Sequence, residues 1–308
     1  MTFQNPALHA LMSALTLQKI ADNRFVGPSF DFVGPRVFGG QVLAQALLAA
    51  FYTLTSAKPC HSLHAYFLRG GDIRYPVQYT VSVLRDGNSL SARQVTASQM
   101  IDGKDCTIFT MLASFAVMDN NPLDGQKPMP SYPPPTAVPS EQEFFAPYIA
   151  SNHTPNWLKE RLSHPRPVTV RLIDPRPLFN PPKAVSHQAL WLTIDELDSN
   201  KLPAIMPSLY PPIFHQACLA FASDLYLVST ALIGQGMNLL SKDLQVASID
   251  HSLHFHRPFD ITDWLLYELK SDIATYDKGL NNGQFWQHGQ LVATSQQEGL
   301  MRYRPSLW

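Results

Sequence analysis

Cysteine is scarce in this chain, with three residues among 308. Cys60, Cys106 and Cys218 are far apart and form no Cys-x-x-Cys pair. An odd number of cysteines at this spacing argues against a disulfide framework and against a structural zinc site. We therefore expect a protein of a reducing compartment, with the cytoplasm as the default location.

Charged residues are also scarce, at 15% of the chain, where a typical soluble domain has about 25%. The net charge of −1 lacks the basic excess of a nucleic-acid-binding protein. Because 45% of residues are hydrophobic, the chain can bury a sizeable core, and so few charges suggest that another subunit covers part of the surface. We expect a homo-oligomer, either a dimer or a tetramer, and no nucleic-acid partner.

Several well-known motifs are missing. No stretch has the 18 or so uncharged apolar residues of a membrane span, and the first 20 residues lack the basic and apolar segments of a secretory signal. Gly-x-Ser-x-Gly, Gly-x-Gly-x-x-Gly, the phosphate-binding loop and His-Glu-x-x-His are all absent. We therefore expect no membrane insertion, no α/β-hydrolase nucleophile and no cofactor.

Proline, in contrast, is abundant and unevenly distributed. Residues 118–140 contain seven prolines, with almost no apolar periodicity, and such a composition cannot build a core. The sequence predicts an N-terminal domain over 1–117, a proline-rich linker over 118–145 and a C-terminal domain over 146–308.

Each predicted domain has an apolar helix followed by long strands. Asn5 and Pro6 are typical of a helix start, and apolar spacing predicts two further helices over 36–51 and 214–232. Asp102-Gly103 is a strong hairpin signal, and His288-Gly289 is a second predicted turn. Predicted strands cover 61–68, 77–85, 89–99, 106–117, 167–174, 187–196, 244–256, 264–275, 282–288 and 291–302.

A short motif occurs once in each half. The sequence His-Ser-Leu-His at 61–64 recurs at 251–254, and in both places a Phe and an Arg follow closely. The order of elements also matches, with helices kept to one face of an antiparallel sheet, which is the α+β pattern. The sequence therefore predicts duplication of one α+β unit.

Asp224 is the most unusual residue in the chain, because it is the only charged residue within the apolar segment 217–228. A carboxylate buried there must be hydrogen-bonded or lose its charge. It is either a structural residue that accepts backbone N–H bonds or a general base whose pKa is set by apolar surroundings.

The predicted strand 244–256 has two contrasting faces. Strand alternation places five polar residues on one face: Ser248, Asp250, Ser252, His254 and His256. The other face carries Ala247, Ile249, Leu253 and Phe255. His254 and His256 are spaced to ligate zinc together, but no third ligand has suitable spacing, so hydrogen bonding at a sheet or subunit interface is the alternative.

Seven segments, in the same order along the chain, resemble the type II acyl-CoA thioesterases. The resemblance covers nearly everything except the proline-rich linker and residues 141–166. It implies an α+β double hotdog, which is two tandem hotdog units in one chain, each a long antiparallel sheet wrapped around a central helix. The segments are RVFGGQVLAQAL (36–47), HSLHAYFLRGGD (61–72), LRDGNSLSARQV (84–95), FASDLYLV (221–228), ASIDHSLHFHRPF (247–259), WLLYE (264–268) and QEGLMR (297–302).

The resemblance also implies a site in which Asp, Thr or Ser, and Gln hold one water against the thioester carbonyl, without a covalent nucleophile. The family's positions fall on Asp224, Ser248 and Gln297. Serine stands where the family pattern has threonine, which retains Oγ but loses the methyl group that restricts χ1. Gln297 has no signal of its own in the sequence.

The expected function is hydrolysis of acyl-CoA to free fatty acid and CoA. The alternative is a non-hydrolytic acyl-CoA-binding or regulatory protein on the same fold. A hotdog hydratase is a third interpretation, although its Asp/His pair is not apparent in the sequence.

Two further groups of residues are candidates for contacts with the substrate. Gly39, Gly40 and Gln41 begin a helix, where backbone N–H groups can stabilise an oxyanion or bind substrate. Arginine is well suited to bind the CoA phosphates, although structural pairing is the favoured explanation for each candidate. The candidates are Arg69, Arg93 and Arg257.

Overall fold

The computed structural model describes residues 4–32, 34–118, 123–197 and 210–304. The N-terminal half contains α1 (Pro6–Ala14), β1 (Gln18–Ala21), β2 (Arg24–Gly27), α2 (Gly39–Phe51), β3 (Cys60–Phe67), β4 (Val77–Asp86), β5 (Leu90–Ile101) and β6 (Lys104–Ala116). A 3₁₀ turn (Pro135–Ala137) precedes α3 (Glu141–Ala150) and α4 (Asn156–Ser163). The C-terminal half contains β7 (Thr169–Ile173), β8 (His187–Thr193), α5 (Pro211–Ser223), α6 (Thr230–Ile233), β9 (Leu244–Ser248), β10 (Asp250–Phe255), β11 (Leu265–Thr275), β12 (Lys278–Gln287) and β13 (Gln290–Tyr303).

The described strands form one antiparallel sheet, in the order β1-β2-β4-β5-β6-β3-β10-β13-β12-β11-β8-β7, with β9 paired to β13. The two halves join where β3 pairs with β10, and Leu63 lies directly opposite Leu253 at this junction. The repeated His-Ser-Leu-His motifs therefore lie side by side at the centre of the sheet, as the predicted duplication requires.

The local signals at the first helix and at the hairpins agree with the structure. Asn5 caps α1 by accepting a hydrogen bond from the Ala7 N–H at 2.9 Å, and Pro6 is the first helical residue. Asp102 and Gly103 have φ values of 49° and 78°, and His288 and Gly289 have nearly the same values. Positive φ at both central residues is the geometry of a two-residue hairpin.

Helices α2 and α5 form the centre of the core and run antiparallel to each other. All residues of α2 from Gly40 to Phe51 are buried, and the Phe38 and Phe221 rings meet with centroids 5.1 Å apart. Glycine is needed at position 40, because a Cβ there would lie 2.3 Å from the carbonyl oxygen of Phe221. The start of α2 therefore lies directly against the end of α5. None of the described helices combines the length and the apolar character that crossing a membrane would require.

The prediction of one continuous helix over 214–232 is wrong. Helix α5 ends at Ser223, Asp224 is its C-cap residue, and Tyr226 adopts a left-handed conformation with φ of 62°. A separate short helix, α6, begins at Thr230. Apolar residues continue across the break between the two helices, so their spacing does not reveal it. The break arises because tertiary hydrogen bonds of residues 224 and 226 override the helical preference of the segment.

The single strand predicted over 244–256 is divided by a β-bulge. Ser248 lies opposite Gly299, whereas Ser252 lies opposite Gln296, so β9 and β10 contain one residue more than β13 over this stretch. A bulge of this kind turns the side chains before it to the other face. Ser248 therefore faces the core, and its predicted position on the same face as Ser252, His254 and His256 is wrong.

The described part of the predicted linker, from residue 123 onwards, contacts the C-terminal half. Gln126 binds the backbone of Gly289 and Leu291, and the Tyr132 hydroxyl donates to Glu268 at 3.0 Å. Ser140 then forms a capping box that begins α3 at Glu141, inside the range predicted as linker. Residues 119–122 of that range lie outside the described residues, and the division into domains at 1–117 and 146–308 stays a prediction.

Candidate active site

Asp224 brings together elements from both halves of the chain. It caps the end of α5, and its Oδ2 accepts a hydrogen bond from the Gly40 N–H at 3.0 Å. Its Oδ1 accepts from Gln297 Nε2 on β13 at 2.6 Å and from Ser248 Oγ on β9 at 3.4 Å. Two of the residues expected from the family pattern, Ser248 and Gln297, therefore both contact the third, Asp224.

The environment of Asp224 favours a proton-accepting carboxylate near neutral pH. Burial raises the pKa of Asp224 to about 6, while the hydrogen bonds from Gln297, Gly40 and Ser248 oppose this rise. The start of α2 also presents the positive end of a helix dipole to the carboxylate. Asp224 is thus ionised above about pH 6 and has a higher proton affinity than an exposed aspartate.

His251 and Gln297 form a hydrogen-bonded layer behind the carboxylate. The Ser223 hydroxyl donates to the Ala220 carbonyl, so His251 Nε2–H donates to Ser223 Oγ at 2.9 Å. His251 Nδ1 then accepts from Gln297 Nε2 at 3.1 Å. Burial lowers the pKa of His251 to about 3, which keeps the ring neutral.

The amide oxygen of Gln297 remains unpaired. Both hydrogens of the amide group are used by Asp224 and His251, and Oε1 is buried without a hydrogen-bond partner among the described residues. An unpaired buried acceptor costs about 1–3 kcal/mol. A water molecule that donates to this oxygen would remove that cost.

Asp224 opens onto a cavity of about 960 Å³ whose wall also includes Gly39 and Ser248. Much of the remaining wall is apolar, and Phe67 on β3 narrows the space beside Gly39. A Cβ at position 39 would lie 2.6 Å from Asp224 Oδ2 and 3.0 Å from Phe67 Cζ. Glycine therefore leaves room for a ligand atom beside the carboxylate.

The three residues predicted at the start of α2 have different surroundings. Gly39 lies at the cavity wall, and N–H groups in the first turn of a helix have no acceptor within that helix. The Gly40 N–H is already bound to Asp224. The side chain of Gln41 is fully buried and donates to the Pro28 carbonyl at 2.9 Å, so it lies outside the cavity wall.

The three predicted arginines also differ. Arg69 is exposed and lies at the cavity wall, with Nη1 donating to the Thr107 carbonyl. Arg93 is fully buried, and its guanidinium pairs with Asp86 at 2.7 Å and with neighbouring backbone carbonyls. Arg257 is ion-paired to Asp124. The structure brings only Arg69 of the three to the cavity.

The histidines considered as zinc ligands lie on the outer face of the sheet. The His64 and His254 rings meet with centroids 5.2 Å apart, and His256 Nε2 is 3.0 Å from Thr294 Oγ1. Within the described ranges, no group of three or more His, Cys, Asp or Glu side chains is arranged to hold a metal ion.

Sequence reasoning missed two residues of this region. His251 carried a usable signal, because alternation places it on the same face as Leu253 and Phe255, and burial confirms that position. Arg36 lies at the cavity wall three residues before Gly39, and its side chain passes over Gly70, where a Cβ would be 3.2 Å from Arg36 Cδ. Nothing in the sequence distinguished Arg36 from the other exposed arginines.

Two family models match the chain, described as acyl-CoA thioesterase over residues 200–300 and as acyl-CoA thioesterase N-terminal domain over residues 27–116. Acyl-CoA thioesterase 2 of Haemophilus influenzae is 37% identical over 297 residues, which cover 96% of this chain and 98% of that protein. The chain belongs to the acyl-CoA thioesterase family. The resemblance read from the sequence motifs is thereby confirmed.

Solved structures of similar proteins share the fold of this chain. Acyl-CoA thioesterase II TesB2 from Mycobacterium marinum has a TM-score of 0.71 and 31% identity, covering 97% of this chain and 99% of that one. A hot dog fold protein from Alicyclobacillus acidocaldarius also has a TM-score of 0.71, at 20% identity, covering 96% and 99% of the two chains. The predicted α+β double-hotdog fold is confirmed.

We predict that Asp224→Asn becomes more stable relative to the wild type as pH rises from about 4 to 6. The native Asp224 retains its proton up to about pH 6, whereas the unfolded chain releases it near the usual aspartate pKa of 3.8. The wild type therefore loses stability across this interval, by roughly 3 kcal/mol for a two-unit difference. Asparagine does not titrate and escapes this loss.

Urea denaturation of both proteins at several values between pH 4 and pH 7 measures the difference. All other groups titrate in both proteins, so subtraction isolates position 224. A difference in free energy of unfolding that stays constant over this range would contradict the buried, proton-retaining carboxylate.

Proposed function

We propose that this chain hydrolyses acyl-CoA thioesters to a free fatty acid and CoA, with Asp224 as the general base. The observation that carries the proposal is a buried carboxylate, hydrogen-bonded by Gly40 and Gln297, that opens onto a cavity of about 960 Å³. Membership of the acyl-CoA thioesterase family supports the thioester as the bond that is broken.

The proposed reaction needs one water molecule. The water donates its two hydrogens to Asp224 and to the unpaired Gln297 Oε1, and it accepts from the Ser248 hydroxyl, which exchanges its long 3.4 Å contact with Asp224 for this bond. Asp224 accepts a proton as the water oxygen attacks the thioester carbonyl carbon. The tetrahedral oxyanion then collapses, the carbon–sulfur bond breaks, and the thiolate leaves and takes up the proton.

The oxyanion requires a hydrogen-bond donor beside the attacked carbonyl. The Gly40 N–H is engaged by Asp224, so we assign this role to the Gly39 N–H at the cavity wall. A donor at a helix N-terminus needs no reorganisation as charge develops on the oxygen. Gly39 lacks a side chain, which keeps this donor accessible.

The substrate has an apolar acyl chain at one end and the charged phosphates of CoA at the other, and the cavity wall contains both apolar and cationic side chains. The apolar side chains of the wall suit an acyl chain. Arg36 and Arg69 lie at the cavity wall and suit the phosphate groups of CoA. We propose these two arginines in place of Arg93 and Arg257, whose guanidinium groups are used by Asp86 and Asp124.

The alternative functions make different demands on the site. A non-hydrolytic acyl-CoA-binding protein needs the cavity but has no use for a carboxylate of raised pKa. A hydratase needs a histidine that reaches the substrate. His251 Nδ1 lies 4.0 Å from Asp224 Oδ1, but its ring is only 1% exposed and both nitrogens are occupied. These features favour hydrolysis.

A cytoplasmic location and self-association into a dimer or tetramer belong to the same proposal. The free thiols of Cys60, Cys106 and Cys218 support a reducing compartment. The low charge content supports burial of part of the surface between subunits.

The first test is release of free thiol from acyl-CoA of short, medium and long chain length, in metal-free buffer with EDTA. We expect turnover, with kcat/KM rising through about pH 6 as Asp224 ionises. We expect Asp224→Asn to lower kcat by roughly 10²–10⁴, because asparagine cannot accept the proton. Absence of turnover at every chain length would favour the binding protein, and turnover restored only by zinc would favour a His254/His256 site.

Substitutions of Ser248 test the water-orienting hydroxyl. Ser248→Ala removes one hydrogen bond to the water, and we expect kcat to fall by about tenfold with little change in KM. Ser248→Thr keeps Oγ and restricts χ1, so its kcat should equal or exceed that of the wild type. Turnover unaltered in the alanine variant would remove Ser248 from the mechanism.

The phosphate contacts are tested by comparing two substrates. We expect Arg36→Ala and Arg69→Ala each to raise KM for acyl-CoA by about tenfold, the loss of one charge-assisted hydrogen bond. The same acyl group on N-acetylcysteamine, which carries no phosphate, should be hydrolysed as by the wild type. Arg24→Ala removes an exposed arginine on β2 away from the cavity and is the control. Equal losses with both substrates would contradict a phosphate contact.

A further inference from the structure

Tyr226 is an unusual residue two positions after Asp224. Its φ of 62° lies in the left-handed region, which an aromatic residue adopts only when its surroundings impose it. The neighbouring residues Leu225 and Leu227 are buried, so the loop has little freedom to move. An unfavourable backbone conformation at this place requires interactions that hold it.

The hydroxyl group of Tyr226 provides one such interaction. It donates a hydrogen bond to Glu141 Oε1 at the start of α3, and Glu141 in turn pairs with Arg166 at 3.2 Å. Glu141 is only 6% exposed. Burial raises the pKa of the Tyr226 hydroxyl well above its usual range, so the hydroxyl retains the proton that it donates.

The backbone of Tyr226 is held as well. Its carbonyl oxygen accepts hydrogen bonds from Gln188 Nε2 at 3.1 Å, from Ser229 Oγ at 2.8 Å and from Thr230 Oγ1 at 3.1 Å. The loop after α5 is therefore fixed at its carbonyl by β8 and by the start of α6, and at its side chain by α3.

We propose that Tyr226, tethered through its hydroxyl to Glu141, is a positioning residue that holds the Asp224 carboxylate against Gly40 and Gln297. The inference rests on the proposed hydrolysis, in which Asp224 is the base. The peptide chain from Asp224 to Tyr226 spans two residues, so a displacement of Tyr226 moves the carboxylate relative to α2 and β13. The helix α3 that follows the proline-rich segment thereby acts on the site without touching the reacting atoms.

Displacement of the Asp224 carboxylate is expected to raise its pKa. Hydrogen bonds from Gln297 and Gly40 lower the pKa of Asp224, so their weakening raises it further. Two other titratable groups face the carboxylate, His251 on β10 and Tyr267 on β11, whose hydroxyl binds the Ser223 carbonyl at 2.8 Å. Helix α2 contributes no charged side chain. None of these groups is changed by substitution at 226 or 141.

The test is Tyr226→Phe, which keeps the ring and removes the tether. We expect kcat to fall by about tenfold with KM within about twofold, and the acid limb of kcat/KM to move to higher pH. The carboxyl pKa of Asp224 is measured independently of turnover by ¹³C NMR titration of aspartate-labelled protein, with the resonance assigned by its loss in Asp224→Asn. It should rise by about half a unit or more.

Glu141→Ala provides a second variant with the same expected rise. Removing a negative charge and leaving Arg166 unpaired would by themselves lower the pKa of Asp224, so a rise separates loss of the tether from a change in the electric field. The double variant Glu141→Ala with Tyr226→Phe should behave like Glu141→Ala alone, because the tether that Tyr226→Phe removes is already absent there.

Two controls distinguish positioning from simple destabilisation. Tyr79→Phe removes another buried tyrosine hydroxyl, bonded to Gln45 Oε1 at 2.6 Å, and should lower stability without moving the pKa of Asp224. Tyr226→Asn tolerates left-handed φ but lacks the tether, and should behave like Tyr226→Phe.

An unchanged Asp224 pKa in Tyr226→Phe, or wild-type kcat in Tyr226→Asn, would overturn the inference. Failure of the proposed function would appear differently, as a wild-type protein that releases no CoA, while the NMR titration would still decide whether Tyr226 positions Asp224.

Discussion

The hydrogen bond between the Gly40 amide and the Asp224 carboxylate is the contact on which the site depends. It joins the first turn of α2 to the C-cap residue of α5, and so joins the two halves of the chain. A carboxylate buried at this depth is costly, and the amide, the helix dipole and Gln297 offset only part of that cost. The remaining part appears as raised proton affinity, which is the property that a general base requires.

The same contact explains why the two halves are not equivalent. Helices α2 and α5 have equal lengths, and the residue that caps the end of α2 is Tyr52, where α5 has Asp224. At the other end of the helix pair, α5 begins with Pro211 and Pro212, and proline has no N–H to offer. The Phe51 and Tyr210 rings stack there instead, with centroids 6.0 Å apart. The two helices of the duplicated units thus meet through a polar contact at one end of the pair and through an apolar contact at the other.

Other paired features remain symmetric and are structural. Gln99 binds the backbone of Asp72 and Tyr75, and Gln287 binds the backbone of Asp260 and Asp263 in the same way. Both glutamines support the loop that follows β3 or β10, the two strands through which the halves pair. The glutamine hydrogen bonds occur in both halves, so we attribute them to the fold. The helix ends differ between the halves, so we attribute the polar contact at Asp224 to the site.

The sequence carried a physical signal for some of these features and none for others. Asp224 was identifiable because a lone charge in an apolar segment needs partners, and the hairpins were identifiable because their residues tolerate positive φ. Ser248 and Gln297 depended on the family pattern, because their roles arise from strands that meet only in the fold. The face of Ser248 was mispredicted because a β-bulge inserts an extra residue and so interrupts the alternation of side chains along the strand. Arg93 and Arg257 are paired with Asp86 and Asp124, in line with the structural alternative, but charge alone did not reveal which carboxylate lies nearby.

The pairing of β3 with β10 also determines the order in which the molecule is assembled. Residues 63 and 253 meet at its centre, and contacts between such distant parts of a chain form late, because closing the intervening loop costs entropy. During synthesis the N-terminal half emerges first, so Gly40 is made before Asp224, the carboxylate that it contacts. Gln297 follows on β13, after every other described strand. The cluster of Gly40, Asp224 and Gln297 is therefore completed only when nearly the whole chain has been synthesised, and shorter chains lack part of it.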